Sequence, residues 1–158
     1  MNNPCLLCDK LSRIQELPAD DVVWQFPHSV ALLGPWQYYT GYCVLITRTH
    51  HTELHQLDPV TRQIFLEEMT LLAKAIEITF QPRKMNYELL GNQVPHLHWH
   101  LFPRSNDDPD TLKPVWLALD MAERDAAEKN RLQSAALSRG EIAVRLRTTL
   151  KKLEAPLP

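Results

Sequence analysis

Residues 96–102 read His-Leu-His-Trp-His-Leu-Phe, and this stretch decides the fold class. Histidine and apolar residues alternate strictly, which is the period of a β-strand with one buried face. On a strand, His96, His98 and His100 project from the same face at intervals of about 6.6 Å, or two rises of about 3.3 Å. The apolar side chains between them face the opposite way and can enter a core. The sequence therefore predicts a sheet with a row of three imidazoles on one face.

The segments around this stretch predict an α+β fold. Asp58 suits a helix N-cap and Pro59 the first helical position, and the apolar spacing that follows is helical until Pro82. A short turn joins the last two strands, which favours an antiparallel pair. We expect an antiparallel sheet of about five strands with one long packed helix. Five segments predict the strands: 21–26, 29–33, 41–47, 83–91 and 96–102.

The last third of the chain predicts additional helices. Residues 117–136 are rich in Ala, Leu, Glu and Lys and predict one helix. Ser138 and Glu141 have the spacing of a capping box and lead into a second helix over residues 142–153. We expect residues 1–104 to form the core of the protein and residues 105–158 to form a helical extension packed on the same domain.

Composition and charge exclude several classes of protein. The chain has 158 residues, 44% hydrophobic and 23% charged, which predicts one globular domain and excludes a disordered chain. A net charge of −2 gives no field for a nucleic-acid backbone, so no nucleic-acid partner is expected. No apolar run is long enough for a bilayer, so no membrane partner is expected. Met1 to Asp9 lacks the pattern of a secretory signal, and a cytoplasmic location is therefore expected.

Three imidazoles on one face favour two kinds of chemistry. A single histidine, such as His28 or His55, is ordinarily a surface or core residue, but a row of three is costly to bury without partners. One interpretation is a metal site, because a His-x-His pair on a strand can bind zinc through both rings. The other is nucleophilic and acid–base chemistry on phosphate, which a neutral imidazole performs well near its pKa of about 6.5.

Cys5 and Cys8 form a Cys-x-x-Cys pair near the start of the chain. The pair alone is compatible with a redox site, with half of a zinc site or with two reduced thiols on a flexible segment. The flanking sequence lacks the βαβ pattern that a thioredoxin-like redox role requires. Cys43 lies in an apolar strand and is expected to be an ordinary buried thiol.

The sequence resembles the histidine-triad (HIT) family over roughly residues 5–104. Residues 96–102 match the family signature His-φ-His-φ-His-φ-φ, in which φ is apolar, and Pro103-Arg104 follows. The resemblance implies an α+β HIT-like fold, a homodimer and a bacterial member similar to diadenosine polyphosphate hydrolases. Three upstream segments resemble the family's strand with its histidine turn, its long helix and its phosphate-contacting turn: residues 41–50, 54–59 and 91–95.

The resemblance also implies a reaction and its residues. Such a protein is a nucleotidyl hydrolase or transferase that cleaves dinucleoside polyphosphates or related nucleotide conjugates at the α-phosphate. His98 would attack the phosphorus and form a covalent nucleotidyl-histidine that water then hydrolyses. His100 would hydrogen-bond a phosphate oxygen, and His96 would orient the nucleophile or assist the leaving group.

Substrate contacts follow from the same resemblance. Gln93, together with Asn92 in the same turn, would contact the phosphates, although the family often has Ser or Thr at the position of Gln93. Trp36 is placed to stack on a base, as any aromatic face can. Gly34 stands where the family usually has an Asp or Asn that binds the ribose hydroxyls.

A structural zinc is the cofactor that the resemblance implies. Some bacterial members bind zinc through four residues that correspond here to Cys5, Cys8, His50 and His96, with His51 as an alternative to His50. Such a zinc would tie the N-terminal segment to the sheet. If it is bound, His96 cannot also donate a proton to the leaving group, and His98 and His100 then carry the chemistry.

Two rival functions remain open at this point. The missing side chain at Gly34 favours a nucleotide-binding sensor or adaptor with little turnover. A weaker alternative is a metallohydrolase whose zinc is held by the three histidines themselves.

Overall fold

The fold is described from a computed structural model that covers residues 5–158. Residues 1–4 lie outside the described residues. The start of the segment Met1 to Asp9 and the start of the expected core 1–104 therefore lie outside them as well. Within residues 5–158, five strands form one sheet in the order β1-β2-β3-β5-β4, and all neighbouring strands are antiparallel. The strands are β1 (Val22–Gln25), β2 (Ser29–Leu33), β3 (Cys43–Thr47), β4 (Lys84–Glu88) and β5 (His98–Arg104).

The described part of the chain also contains five α-helices, and the predicted α+β fold with its long helix and C-terminal helices is confirmed. No helix within residues 5–158 combines the length and the apolar character needed to span a membrane. Short 3₁₀ turns follow α1 and precede α2, at Ile14–Glu16 and Leu54–Gln56. The helices are α1 (Leu6–Ser12), α2 (Pro59–Phe80), α3 (Val115–Arg124), α4 (Ala126–Gln133) and α5 (Arg139–Lys152).

Local signals fix both ends of α2. The Asp58 carboxylate accepts hydrogen bonds from the backbone N–H groups of Val60 and Thr61, which satisfies two of the free donors of the first turn. At the other end Gln81 adopts a left-handed conformation with φ of 49°, and Pro82 follows. The buried face of α2 packs against the sheet through an apolar stripe: Phe65, Met69, Leu72, Ala73 and Ile76.

The C-terminal helix α5 contributes to the same core as α2. Ser138 and Glu141 form the predicted capping box, in which the Ser138 hydroxyl accepts from the Glu141 N–H and the Glu141 carboxylate accepts from the Ser138 N–H. Four side chains of α5 are fully buried in the cluster that contains the α2 stripe: Ile142, Ala143, Leu146 and Leu150.

The prediction of one continuous helix over residues 117–136 was wrong. The chain leaves the helical conformation at Asp125, with φ of −127° and ψ of 114°, and two helices result. The Asp125 carboxylate accepts from the N–H groups of Ala127 and Glu128. Asp is a strong N-cap, and this local bond competes with a continuous helix because it satisfies the free donors of a new first turn.

The predicted strand 96–102 begins and ends two residues later than expected. The N–H of His96 bonds to Val94 and the N–H of Leu97 bonds to His51, so neither residue belongs to the ladder of β5. The ladder runs from His98, opposite Ile46, to Arg104, opposite Lys84. His96 therefore precedes the strand, and the expected row of three imidazoles becomes a pair with a third ring set apart.

Arg104, at the end of β5, is 1% exposed and organises the loop that follows. Its Nε lies 2.6 Å from the Asp108 carboxylate, which is also buried. Its other nitrogens donate to the Asn86 side chain and to the backbone carbonyls of Asp110 and Lys113. A buried charge requires such complete pairing, and this network fixes the chain between β5 and α3 against the sheet.

Candidate active site

The hydrogen bond of His98 to its own chain selects one tautomer of its ring. Nδ1 of His98 lies 2.5 Å from the backbone carbonyl oxygen of His96, and a carbonyl can only accept. Nδ1 therefore carries the proton, and Nε2 keeps its lone pair. His98 is 7% exposed, so the ring that carries this lone pair is buried. An imidazole held in this form is a competent nucleophile.

His100 continues the chain of hydrogen bonds from His98. Nε2 of His100 lies 3.1 Å from Nε2 of His98, and Nδ1 of His100 lies 2.7 Å from the Tyr42 hydroxyl. Burial raises the pKa of Tyr42, so its hydroxyl stays protonated and donates to His100. Nδ1 of His100 is then an acceptor, and its Nε2–H faces the lone pair of His98.

His100 is neutral under ordinary conditions. Burial, and to a lesser degree the neighbouring His98 ring, lowers the pKa of His100 to about 4. A neutral ring with one N–H is a hydrogen-bond donor without a charge, and the donor lies beside the nucleophilic nitrogen of His98. This arrangement suits a group that binds an oxygen of a phosphate while His98 attacks the phosphorus.

Tyr42 itself is held by the packing around it. Its ring stacks on Phe102 at a centroid distance of 3.9 Å and an interplanar angle of 13°. It also fills the space beside Gly34, because a Cβ atom at Gly34 would lie only 2.1 Å from the ring. Position 34 therefore carries no side chain for a steric reason. From the sequence, Tyr42 was expected only as part of an apolar strand, and its contact with His100 was not predicted.

A cavity of about 410 Å³ opens beside the two histidines and is called here the aromatic cavity. The structure places the predicted residues Trp36, Asn92 and Gln93 in its lining, together with His98 and His100. Its other walls are apolar or aromatic and include Val44, Trp116 and Leu119. A cavity of this size with a few polar groups at one end is typical of a small-molecule site.

Trp116 is a further residue beside His100 that was not predicted from the sequence. It lies on α3, and its ring meets the His100 ring edge to face at 5.4 Å and 83°. The helical pattern of residues 117–136 placed no functional residue in this region, and only the tertiary fold brings α3 to β5. The C-terminal helices thus contribute a wall of the aromatic cavity.

Four side chains near the start of β5 form a cluster able to hold a metal ion: Cys5, Cys8, His50 and His96. Their ligand atoms lie within 4.8 Å of one another. Nδ1 of His96 is 3.4 Å from Cys5 Sγ and 3.5 Å from Cys8 Sγ, and Nδ1 of His50 is 3.4 Å from Cys8 Sγ. A tetrahedral zinc with Zn–S of about 2.3 Å and Zn–N of about 2.0–2.1 Å places S and N about 3.5 Å apart, so the spacing fits.

His96 is prepared for metal binding by its second nitrogen. Nε2 of His96 lies 2.9 Å from the Thr47 carbonyl oxygen and must donate to it, which leaves the Nδ1 lone pair facing the thiols. Burial lowers the pKa of His96, which favours the neutral, metal-binding form. Within residues 5–158 the cluster contains His50 and not His51, whose carbonyl instead accepts from Leu97.

These features define an α+β protein with a histidine-based site. Its five-stranded antiparallel sheet presents two hydrogen-bonded imidazoles beside a cavity, and a third histidine lies in a Cys/His cluster. Residues 15–107, more than half of the chain, match the family described as the HIT domain, and the chain belongs to this family. It is similar to the protein Hit of Bacillus subtilis (strain 168), with 25% identity over 117 residues, 71% of this chain and 78% of the relative.

Solved structures show the same fold. A zinc-bound histidine triad family protein from Mycobacterium smegmatis has 20% identity and a TM-score of 0.66, with 96% of each chain covered. A hypothetical histidine triad nucleotide-binding protein from Sulfolobus tokodaii strain 7 has 18% identity and a TM-score of 0.68, with 95% of this chain and 94% of the other covered. The long coverage extends the similarity beyond the matched family region into the C-terminal helices.

Proposed function

We propose that the protein is a nucleotidyl hydrolase or transferase that cleaves dinucleoside polyphosphates or related nucleotide conjugates at the α-phosphate, as in diadenosine polyphosphate hydrolases. The observation that carries this proposal is the bond from His98 Nδ1 to the His96 carbonyl, which leaves Nε2 as a nucleophile at the aromatic cavity. The similarity to a protein described as nucleotide-binding supports the substrate class.

The reaction proceeds in two displacements. His98 Nε2 attacks the α-phosphorus, a P–N bond forms, and the bond to the leaving group breaks with its electron pair on the leaving atom, which takes a proton from water. A second water then attacks the phosphorus and gives a proton to the hydroxide left by the first water, the P–N bond breaks with its electron pair on Nε2 of His98, and the mononucleotide departs. One difficult displacement is thereby divided into two easier ones.

The remaining residues position the substrate and stabilise charge. The Nε2–H of His100 turns from His98 to an oxygen of the phosphoryl group, which gains negative charge in the transition state. Asn92 and Gln93 contact the phosphates from the turn before β5, and Trp36 stacks on the base. His96 acts through its carbonyl, because both of its ring nitrogens have other partners.

The proposal includes a structural zinc held by Cys5, Cys8, His50 and His96. When bound, such an ion would supply a cross-link between α1 and the sheet and no redox or acid chemistry. The zinc-bound neighbour from Mycobacterium smegmatis supports this assignment. A zinc held by the three histidines alone is disfavoured, because only His96 of the three belongs to the cluster. Free thiols as ligands suit a reducing compartment, and on that ground we propose a cytoplasmic location. On the ground of the family resemblance we propose a homodimer.

The test is capture of the covalent intermediate. The protein is incubated with a labelled dinucleoside polyphosphate, quenched and digested, and the label is expected on His98 as an acid-labile adduct. His98→Ala is expected to lose both adduct and turnover, while His28→Ala, a histidine outside the site, keeps both. Turnover by His98→Ala at the parent rate contradicts the mechanism.

A nucleotide sensor or adaptor is the second candidate. The observation that favours it is Gly34, which has no side chain for a ligand because the Tyr42 ring fills that space. Nucleotide binding in calorimetry without adduct or turnover would select this function over the first.

A further inference from the structure

Cys5 and Cys8 have a chemical property that metal binding alone does not use. They lie three positions apart at the start of α1, and their sulfurs belong to the cluster whose ligand atoms lie within 4.8 Å of one another. Both sulfurs face the same ring nitrogen, Nδ1 of His96, at 3.4 and 3.5 Å. Residues three apart at the start of a helix have Cα atoms within the range that a disulfide spans, so rotation of the two side chains can join the sulfurs.

The two thiols are accessible, in contrast to the third cysteine of the chain. Cys5 and Cys8 are partly exposed, and His50 beside them is exposed. Cys43 on β3 is 0% exposed and lies in the hydrophobic core. A small oxidant in water therefore reaches the pair and not Cys43, which makes Cys43 an internal reference.

The same two cysteines supply the polar attachment of α1. No residue of α1 is buried. In the described part of the chain, every hydrogen bond from residues 5–17 to the rest of the protein runs from a cysteine sulfur to the ring of His50 or His96. The apolar contacts of α1 with the sheet, through Leu7 and Leu11, are only partly buried. A chemical change at the two sulfurs therefore acts on the main polar anchor of this helix.

We propose that Cys5 and Cys8 are a site of reversible oxidation by peroxide, at which formation of a disulfide gives up the bound metal ion and releases α1. This inference rests on the structural zinc of the proposed function and goes beyond it, because it assigns a reaction to the ligands themselves. Sulfurs joined in a disulfide are no longer thiolate ligands. The two imidazoles that remain, those of His50 and His96, are too few to hold a tetrahedral ion.

Atoms and electrons balance with hydrogen peroxide as the oxidant. One cysteine thiolate attacks an oxygen of the peroxide, the O–O bond breaks, and a sulfenic acid and a hydroxide ion result. The other thiolate attacks the sulfenic sulfur, the S–O bond breaks, and the S–S bond forms with release of a second hydroxide ion. The two thiolates lose two electrons in total, which the peroxide gains, and no electron is exchanged with the metal ion.

The first experiment measures metal release from the reduced full chain loaded with zinc. Hydrogen peroxide is added in the presence of a chromogenic chelator. The parent is expected to release about one zinc ion per chain and to lose two free thiols, and the peptide with residues 5–8 is expected to become lighter by two hydrogen atoms. Dithiothreitol followed by zinc is expected to restore the metal content. Cys43→Ala should respond like the parent.

A variant that keeps four ligands separates disulfide formation from simple thiol oxidation. Cys5→His leaves one thiol and three imidazoles, a set of ligand types that zinc accepts, and is expected to bind zinc when reduced. Because it has no second thiol in the cluster, peroxide is expected to take Cys8 to the sulfinic acid, and dithiothreitol should then fail to restore the metal.

Hydrogen exchange measures the release of α1. In the oxidised parent the amides of α1 are expected to exchange about tenfold faster than in the reduced, zinc-loaded protein. The amides of α2 should be unchanged, which also shows that the rest of the fold is intact.

Retention of zinc by the oxidised parent, failure of dithiothreitol to restore it, oxidation of Cys43 as fast as that of the pair, or unchanged exchange of α1 would each overturn the inference. A reduced parent that binds no zinc overturns the structural zinc and this inference together. Neither experiment uses a nucleotide, so the absence of an adduct on His98 refutes the proposed reaction and leaves this inference standing.

Discussion

The hydroxyl of Tyr42 lies 2.7 Å from Nδ1 of His100 and thereby determines which nitrogen of that ring carries its proton. Without this donor the two tautomers of His100 become close in energy, and only one of them presents an N–H at the position beside His98. Tyr42, which also lines the aromatic cavity, therefore sets the hydrogen-bonding direction of His100, which contacts the phosphate in the proposed reaction.

Tyr42→Phe is expected to lower kcat about tenfold with a smaller change in KM, because a hydrogen bond of about 1–1.5 kcal/mol orients His100 mainly for the transition state. Nitrogen-15 NMR of the His100 ring should show a mixture of tautomers in the variant and one tautomer in the parent. Tyr87→Phe, an exposed tyrosine on the edge strand β4, is the matched control and should leave both measurements unchanged. A single unchanged tautomer of His100 in Tyr42→Phe would refute the role of the hydroxyl.

Cys8→Ser is expected to reduce bound zinc from about one ion per chain to near zero and to lower the unfolding temperature by about 5 °C or more. The loss follows because the remaining three ligands no longer close a tetrahedral site. Metal analysis and thermal scanning measure the two effects. Cys43→Ala removes a buried thiol outside the cluster, so it should keep its zinc even if packing is lost. Equal zinc content in both variants would disprove the site.

Acid is expected to destabilise the fold through His100. Its pKa is about 4 in the folded protein and about 6.5 in an unfolded chain, so the unfolded state binds more protons between these values. The stability that the neutral ring contributes is present above pH 6.5, is lost as the pH falls towards 4, and amounts to about 3 kcal/mol at most. Urea unfolding at several pH values measures it. In His100→Gln the curve of stability against pH should be flatter over this range, and parallel curves for the two proteins would contradict the shift.

Asp108→Asn is expected to cost about 3–5 kcal/mol of unfolding free energy, because it leaves the buried Arg104 guanidinium without its counter-charge. Asp120→Asn breaks the exposed pair with Arg124 and serves as the matched control, with an expected cost below about 1 kcal/mol. Urea denaturation of both variants provides the comparison. Similar costs for the two would show that Arg104 is not the organiser of its loop.

Local chemistry made much of the fold predictable. The cap at Asp58 and the proline at 59 fix where α2 begins, and the apolar period of the strand segments fixes which of their residues face the core. The same local rules failed to predict the helix break at Asp125. An Asp within a helix-forming segment caps a new helix only if the chain can turn at that residue. The strand that begins at His98 was misplaced because a hydrogen bond from Leu97 to His51, 46 residues earlier, ends the ladder.

The candidate site divides in the same way. His98 and His100 follow from the alternation on β5, whereas the cluster of Cys5, Cys8, His50 and His96 required a family resemblance to be proposed as one set. Tyr42 and Trp116 were missed, because nothing in their local sequence marks a tyrosine in an apolar strand or a tryptophan in a helix as a neighbour of His100. Their contacts exist only once the sheet and α3 are assembled.

The region that matches the HIT domain ends at residue 107, yet the packing of the molecule continues past it. Leu146 and Leu150 of α5 are fully buried in the same cluster as Leu72 and Ile76 of α2. A recombinant fragment that ends at residue 107 would expose the apolar face of α2 to water and is expected to aggregate. Any grafting or redesign of the histidine pair therefore has to include the last fifty residues of the chain. These residues contribute to the hydrophobic core and to one wall of the aromatic cavity.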